Sequence, residues 1–173
     1  DAADRVIEML LGAMAEQQIG DPGALAVDVG PVIDAEAQAN ILRHVDAMRA
    51  AGRRVHQPLA ASRPASGTFV APTLIEIGAL AELKREVFGP VLHLLRYERE
   101  QLPALIEQIN ATGYGLTCGV HTRIDETVVQ VARGVKAGNV YVNRNVVGAV
   151  VGVQPFGGEG LSGTGPKAGG PLY

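Results

Sequence analysis

The spacing of apolar residues in the first third of the chain predicts two amphipathic helices joined by a turn-rich connection. Over residues 1–18 the apolar side chains recur at helical intervals, and a second helical pattern starts after Asp34. Asp34 is a residue type that caps helix starts, and Gly52 is of the type that ends helices. Glycines and prolines break the stretch between the two patterns, which we therefore predict to be a connection rather than a third helix.

The remaining pattern alternates between strands and helices. Residues 53–59 and 67–77 are short β-rich runs, and residues 91–97 form a continuous apolar run typical of a strand covered on both faces. From residue 91 to 143 the order strand, helix, strand, helix, strand is the pattern of right-handed crossovers on a parallel sheet. We predict an α/β fold, a layered domain with a largely parallel sheet and helices on both faces.

Composition narrows the class of protein. The 173 residues suffice for one domain with a real core, and 47% apolar against 19% charged residues predict a folded, soluble chain. A net charge of -3 without a basic cluster gives no electrostatic footprint for nucleic acid. No apolar run approaches the roughly 18 residues of a membrane span.

The single cysteine, Cys118, cannot form an internal disulfide and suits a reducing compartment, which predicts a cytoplasmic location. The four histidines are far apart along the chain, so no metal site is predicted.

The segment "PFGGEGLSGTGPKAGG", residues 155–170, holds seven of the 22 glycines. It contains G-x-G-x-x-G, but Pro166 and the glycines after it exclude the helix that a dinucleotide fingerprint requires. The phosphate-loop pattern also fails, because Pro166 occupies the lysine position and Lys167 comes one residue late. Two interpretations stay open: a flexible surface loop, or a loop with fixed corners whose backbone N–H groups bind an anion such as a carboxylate. Lys167 is expected to be a solvated loop charge in either case.

Four motifs, in order and in register, resemble those of the aldehyde dehydrogenase superfamily. They are "EVFGPV" (86–91), "NATGYGL" (110–116), "GNVYVN" (138–143) and "PFGGEGLSG" (155–163). The segment from "YVNRN" to "GGPLY" is similar to the L-glutamate γ-semialdehyde dehydrogenases, also called Δ1-pyrroline-5-carboxylate dehydrogenases. It is most similar to the dehydrogenase module of bacterial bifunctional proline utilization proteins. This resemblance implies the aldehyde dehydrogenase catalytic-domain fold, present in part.

The resemblance also implies roles for individual residues. Glu86 matches the glutamate that hydrogen-bonds the nicotinamide ribose hydroxyls of NAD, and Phe88 matches the aromatic residue beside the nicotinamide ring. Gly169 and Gly170 match the loop glycines whose N–H groups hold the α-carboxylate of the substrate. Phe156 and Ser162 belong to the same loop and are expected to shape the aldehyde pocket. Asn110 and Asn143 are expected to fix backbone turns rather than to contact substrate.

The family's nucleophilic cysteine, its base and its NAD-binding Rossmann domain precede the region that this chain matches. We therefore expect residues 1–173 to be the C-terminal part of a catalytic domain, without catalytic residues and inactive in isolation. The ends agree with a piece of a longer protein, since the chain opens on a helical pattern and closes on "PLY" without a polar cap. Cys118 lies in an apolar strand pattern and is expected to be a small buried residue.

The implied parent oxidises L-glutamate γ-semialdehyde with NAD and is a homo-oligomer, while FAD belongs to a separate proline dehydrogenase module outside this chain. Two alternatives remain at this stage. One is an aldehyde dehydrogenase with another substrate, which the Gly169–Gly170 loop would distinguish. The other is a catalytically inactive aldehyde dehydrogenase-like domain that serves in binding or assembly.

Overall fold

The computed structural model describes residues 2–57, 64, 66–163 and 165–173. The chain divides into two compact units, Asp1–Arg96 and Tyr97–Tyr173, here named the N-terminal unit and the C-terminal unit. None of the helices in the described residues is long and apolar enough to cross a membrane.

The N-terminal unit is a small sheet with two helices. Its elements are α1 (Ala2–Glu16), α2 (Ala35–Ala50), β1 (Arg54–His56), β2 (Thr73–Ile77), a 3-10 turn (Leu80–Glu82) and β3 (Val91–Leu95). Strand β2 lies in the middle, antiparallel to β1 and parallel to β3. In the parallel pairing Thr73 lies opposite Val91, so the chain segment between β2 and β3 returns to the same end of the sheet.

Helix α2 begins and ends where its sequence predicts. The Asp34 carboxylate accepts a hydrogen bond of 2.7 Å from the Ala37 N–H, which satisfies one of the free donors of the first turn. At the other end Gly52 adopts a φ of 74°, a left-handed conformation that favours glycine. The N–H groups of Gly52 and Arg53 donate to the carbonyls of Arg49 and Met48, which completes a Schellman motif.

The core of the N-terminal unit lies between α2 and the sheet. Helix α2 contributes Ile41, Val45 and Met48, and these pack with Val70, Ile75 and Ile77. Val45 is 1% exposed and Ile75 0%. Burying one such side chain contributes about 1.5–3 kcal/mol, so this helix–sheet contact stabilises the unit.

The C-terminal unit contains a parallel crossover and a two-stranded antiparallel pair. Its elements are a 3-10 turn (Arg99–Gln101), α3 (Leu102–Ala111), β4 (Tyr114–Gly115), β5 (Thr117–Val120), α4 (Asp125–Gly134), β6 (Asn139–Val142) and β7 (Glu159–Gly160). Strands β5 and β6 are parallel and α4 connects them, whereas β4 and β7 are antiparallel. Ile106, Val120 and Val131 form the core beneath the two helices.

The α/β fold class is confirmed, and the predicted strand and helix order over residues 91–143 is found in β3, α3, β5, α4 and β6. The pairing is more mixed than one largely parallel sheet: two strand pairs are parallel and two antiparallel among the described residues. The described strands form three separate sheets: β1, β2 and β3 in one, β4 with β7, and β5 with β6. Of the two predicted parallel crossovers, the one through α4 is therefore found, whereas β3 and β5 belong to different sheets. The β-rich run at 53–59 yields only β1, and its residues 58 and 59 lie outside the described residues.

Two asparagines hold turns of the C-terminal unit, as predicted. Asn110 Nδ2 donates to the Gly134 carbonyl, and its Oδ1 accepts from the Lys136 N–H, both at 2.8 Å. Asn143 has a φ of 53° and bonds both the N–H and the carbonyl of Thr122. These side chains replace backbone partners at helix and strand ends, which fixes the ends of the crossover.

Candidate functional site

The first candidate site is the segment that leads into β3. Glu86 and Phe88 are both exposed, and Phe88 retains 79% of its accessible surface. The Glu86 carboxylate makes no hydrogen bond or ion pair within the described residues. An unpaired carboxylate beside an exposed aromatic ring suits a ligand that carries hydroxyl groups and a flat ring.

Packing around Val87 and Gly89 orients this segment. Val87 packs against the α2 core, so its two neighbours face away from it. A Cβ on Gly89 would lie 2.4 Å from Cδ1 of the buried Ile41, which leaves room only for glycine against α2. The Thr73 N–H donates to the Pro90 carbonyl at 2.8 Å and ties the end of the segment to β2.

A cleft of about 210 Å³ lies beside this segment and contains both predicted cofactor-binding residues. It is lined by Ala37, Asn40, Ile41, His44, Arg85, Glu86, Val87 and Phe88. The structure therefore places Glu86 and Phe88 on one surface feature of the N-terminal unit, together with polar groups from α2.

His44 belongs to a histidine pair that the sequence did not reveal. Its Nε2 lies 2.8 Å from Nε2 of His93, and the rings meet edge to face with centroids 5.0 Å apart. Burial lowers the pKa of both imidazoles, and the Arg85 charge lowers that of His44 further. The four histidines are far apart along the chain, but α2 and β3 bring His44 and His93 together although they are 49 positions apart.

The second candidate site is the glycine-rich segment of the C-terminal unit. No helix follows Gly163 in the part of the chain described, which agrees with the exclusion of a dinucleotide fingerprint. Instead, two arms of the segment pair through an antiparallel bridge between Phe156 and Ala168. Each of these residues donates its N–H to the other's carbonyl, at 3.0 and 2.9 Å.

Both arms are fastened to the start of β6. Asn139 Nδ2 donates to the Pro155 carbonyl at 3.0 Å, and its Oδ1 accepts from the Gly157 N–H at 3.4 Å. On the other arm, Lys167 Nζ donates to the Gly138 carbonyl. Lys167 is therefore not the solvated charge that was expected: its half-buried side chain folds back onto β6.

Close backbone contact explains why this region is rich in glycine. A Cβ on Gly138 would lie 1.7 Å from the Gly157 carbonyl oxygen, and one on Gly158 would lie 2.4 Å from the Ser162 carbonyl oxygen. A Cβ on Gly157 would meet the Lys167 side chain and Cα at 3.1–3.4 Å. The glycines allow close packing here, which favours the interpretation of a loop with fixed corners.

The predicted substrate-binding residues lie in this one folded loop, with different local roles. The Ser162 hydroxyl accepts a 3.0 Å hydrogen bond from the Gly115 N–H and joins the loop to β4. The Gly170 N–H donates to the Lys167 carbonyl at 3.0 Å. The Gly169 N–H has no partner among the described residues, and Gly169 has a φ of 73° in an exposed turn. Of the two predicted glycine donors, Gly169 is the one available to a ligand.

Cys118 lies on β5 and packs against the core of the C-terminal unit. It is half-buried, and burial raises the pKa of its thiol. A raised pKa reduces the fraction of thiolate, the nucleophilic form. This environment agrees with the prediction that Cys118 is a small packing residue.

Comparison with known proteins defines the class to which these features belong. The model of the aldehyde dehydrogenase family matches residues 1–173, and the chain belongs to that family. It is 66% identical, over its whole length, to the bifunctional protein PutA of Escherichia coli strain K12, of which it spans 14%.

Solved structures agree with this assignment. A crystal structure of a Bradyrhizobium japonicum proline utilization A (PutA) variant superposes with a TM-score of 0.91 at 53% identity, over 99% of this chain and 17% of that one. A 1-pyrroline-5-carboxylate dehydrogenase from Thermus, solved with bound NAD, has a TM-score of 0.82 at 35% identity, over 98% of this chain and 32% of that one. The chain thus has the architecture of part of these enzymes.

Proposed function

We propose that residues 1–173 are the C-terminal part of the catalytic domain of an L-glutamate γ-semialdehyde dehydrogenase, within a bifunctional proline-catabolic protein. The parent protein oxidises the aldehyde, in equilibrium with Δ1-pyrroline-5-carboxylate, to L-glutamate. The observation that carries this proposal is the 66% identity to a bifunctional PutA over the full length of the chain. The 34% identity to a 1-pyrroline-5-carboxylate dehydrogenase of Geobacillus kaustophilus supports the same substrate.

NAD is the cofactor in this proposal, and its nicotinamide ribose would lie in the cleft of the N-terminal unit. When bound, NAD+ accepts the hydride from the substrate. Glu86 would accept hydrogen bonds from the ribose hydroxyls, since its carboxylate has no competing partner in the described chain. Phe88, exposed beside it, would offer its ring face to the nicotinamide.

The glycine-rich loop of the C-terminal unit would hold the amino-acid end of the substrate. The Gly169 N–H, which has no partner in the described part of the chain, is a donor that needs no positive side chain to bind a carboxylate. Phe156 and Ser162 belong to the same loop, and Gly170 would reach the carboxylate only by sharing the N–H that it donates to Lys167. These residues would bind and orient the substrate but supply neither the nucleophile nor the base of the family. The isolated chain is therefore expected to have no dehydrogenase activity.

The proposal includes the cytoplasm as the compartment and a homo-oligomer as the assembly of the parent protein. A half-buried free thiol at Cys118 is compatible with a reducing compartment. Neither nucleic acid nor a membrane segment of this chain has a part in the proposed function.

The test uses the full-length protein that carries this chain. NADH formation from L-glutamate γ-semialdehyde and NAD+ is expected with the full-length protein and not with residues 1–173 alone. Glu86→Gln should raise the KM for NAD+ about tenfold, because a charge-assisted hydrogen bond becomes a neutral one. The matched control is Glu8→Gln, also an exposed glutamate of the N-terminal unit. Absence of turnover by the full-length protein would refute the proposed function.

A further inference from the structure

The hydrogen bonds around the glycine-rich loop form a closed ring. Asn139 on β6 holds the arm that contains Pro155 and Gly157. That arm pairs with the second arm through the bridge between Phe156 and Ala168. Lys167, next to the bridge, then returns to β6 through the Gly138 carbonyl, one residue before Asn139.

This ring fixes the turn that follows it. The Lys167 carbonyl accepts the Gly170 N–H at 3.0 Å, so one residue closes the ring with its side chain and starts the turn with its backbone. Gly169 lies inside that turn, and its N–H has no partner among the described residues. The direction of this N–H therefore depends on where Lys167 is held.

The side chain that closes the ring must be long and must donate. The Lys167 side chain passes over Gly157 before its Nζ reaches the Gly138 carbonyl. The contact with Gly157 is close, since a Cβ on Gly157 would lie 3.1 Å from the Lys167 Cα. No other residue of segment 155–170 carries a positive charge. Methionine would fill the same path without a donor, and arginine would keep both the length and the charge.

We propose that Lys167 is a positioning residue for the substrate carboxylate. Its side chain holds the glycine-rich loop against the start of β6 and thereby fixes the direction of the Gly169 N–H. This inference rests on the proposed function of the loop and adds a residue that touches the backbone rather than the substrate. Asn139 is the second side chain that holds the same ring closed. Loss of either side chain is expected to weaken binding of ligands with an α-carboxylate, while binding of NAD+ is unchanged.

The experiment compares Lys167→Met with Lys167→Arg in the full-length enzyme. Lys167→Met should raise the KM for L-glutamate γ-semialdehyde and the inhibition constant of the product L-glutamate together, each about tenfold, which is the range of one hydrogen bond to a charged group. The KM for NAD+ should not change, and Lys167→Arg should restore both carboxylate-dependent constants. Lys136→Met, at an exposed lysine of the same unit, is the matched control.

A merely structural role gives a different result. It would lower kcat and the amount of folded enzyme without raising the two carboxylate-dependent constants selectively, and that outcome overturns the inference. If Lys167→Met does not fold, Asn139→Ala opens the same ring and should show the same selective rise; an unchanged KM there also overturns it. A wild-type enzyme inactive on the semialdehyde would refute the proposed function instead, so the two failures are distinguishable.

Discussion

Gly138→Ala is the substitution that most directly tests how the glycine-rich loop is packed. The added Cβ would lie 1.7 Å from the Gly157 carbonyl oxygen, whereas a carbon–oxygen contact normally needs more than 3 Å. Gly138 has no positive φ, so alanine is compatible with its own backbone. The entire cost therefore comes from moving the Gly157 arm by more than about 1 Å.

That displacement breaks the ring. The hydrogen bonds of Asn139 to Pro155 and Gly157 and that of Lys167 to Gly138 all depend on the present separation. Each contributes about 1 kcal/mol, and overpacking of this kind costs about 1–3 kcal/mol in total. We expect the free energy of unfolding to fall by about 3 kcal/mol. This lowers Tm by about 6–12 °C where the two units unfold together, and by about twice as much where the C-terminal unit unfolds alone.

The assay is thermal unfolding of this chain followed by circular dichroism, with hydrogen exchange to localise the change to the C-terminal unit. Localisation matters because two compact units need not unfold together. The matched control is Gly165→Ala in the same segment, where a Cβ would meet no atom of the described residues within 4 Å. Equal Tm values for the two variants would refute the packing argument.

Three further predictions concern other parts of the chain. Burial lowers the pKa of His44 and His93 below the ordinary 6.5, so as the pH falls the unfolded chain binds protons at these residues before the folded chain does. The free energy of unfolding should therefore be at its full value above pH 6.5 and fall as the pH drops below it. His93→Asn should flatten that slope in urea titrations repeated across pH. Cys118, with its raised thiol pKa, should react slowly with a thiol reagent at neutral pH, and the rate should rise on unfolding in urea. Gly12→Ala, inside α1 with open space around its Cβ, should stabilise that helix by up to about 1 kcal/mol in chemical denaturation.

For the histidine and Cys118 predictions, a specific result would contradict each one. His121→Asn, at an exposed histidine, is the control for the pH titration, and an equal flattening by this variant would contradict the role of the half-buried His44–His93 pair. For Cys118, a native rate equal to the rate in urea would show that the thiol is not protected by packing.

Local features of the fold were predictable because the responsible residues are neighbours in sequence. The Asp34 cap, the Gly52 end of α2 and the order of strands and helices up to β6 follow from residue type and spacing. The exclusion of a nucleotide-binding loop also rested on local information, namely Pro166 within a glycine run. Periodicity gives no partner for a strand, so the mixed pairing of the short strands was not predicted.

The contacts that build the candidate sites are long-range, and for that reason the sequence did not reveal them. His44 and His93 meet only because α2 packs on the sheet that contains β3. Lys167 reaches Gly138 across 29 positions, and nothing local distinguishes it from a solvated lysine. The usable signal was its isolation as the one cation in segment 155–170. Assignment of Glu86, Phe88 and the loop glycines depended on family motifs rather than on physical pattern.

The closed ring also determines when the entropy of seven glycines is lost. A glycine loses more backbone freedom on ordering than any other residue, about 1–2 kcal/mol each before its extra flexibility is counted. Because Asn139, Lys167 and the Phe156–Ala168 bridge order the loop during folding, a substrate carboxylate bound there as proposed would not have to order it. Binding should therefore show a small conformational entropy loss, and most of the contact energy remains as affinity.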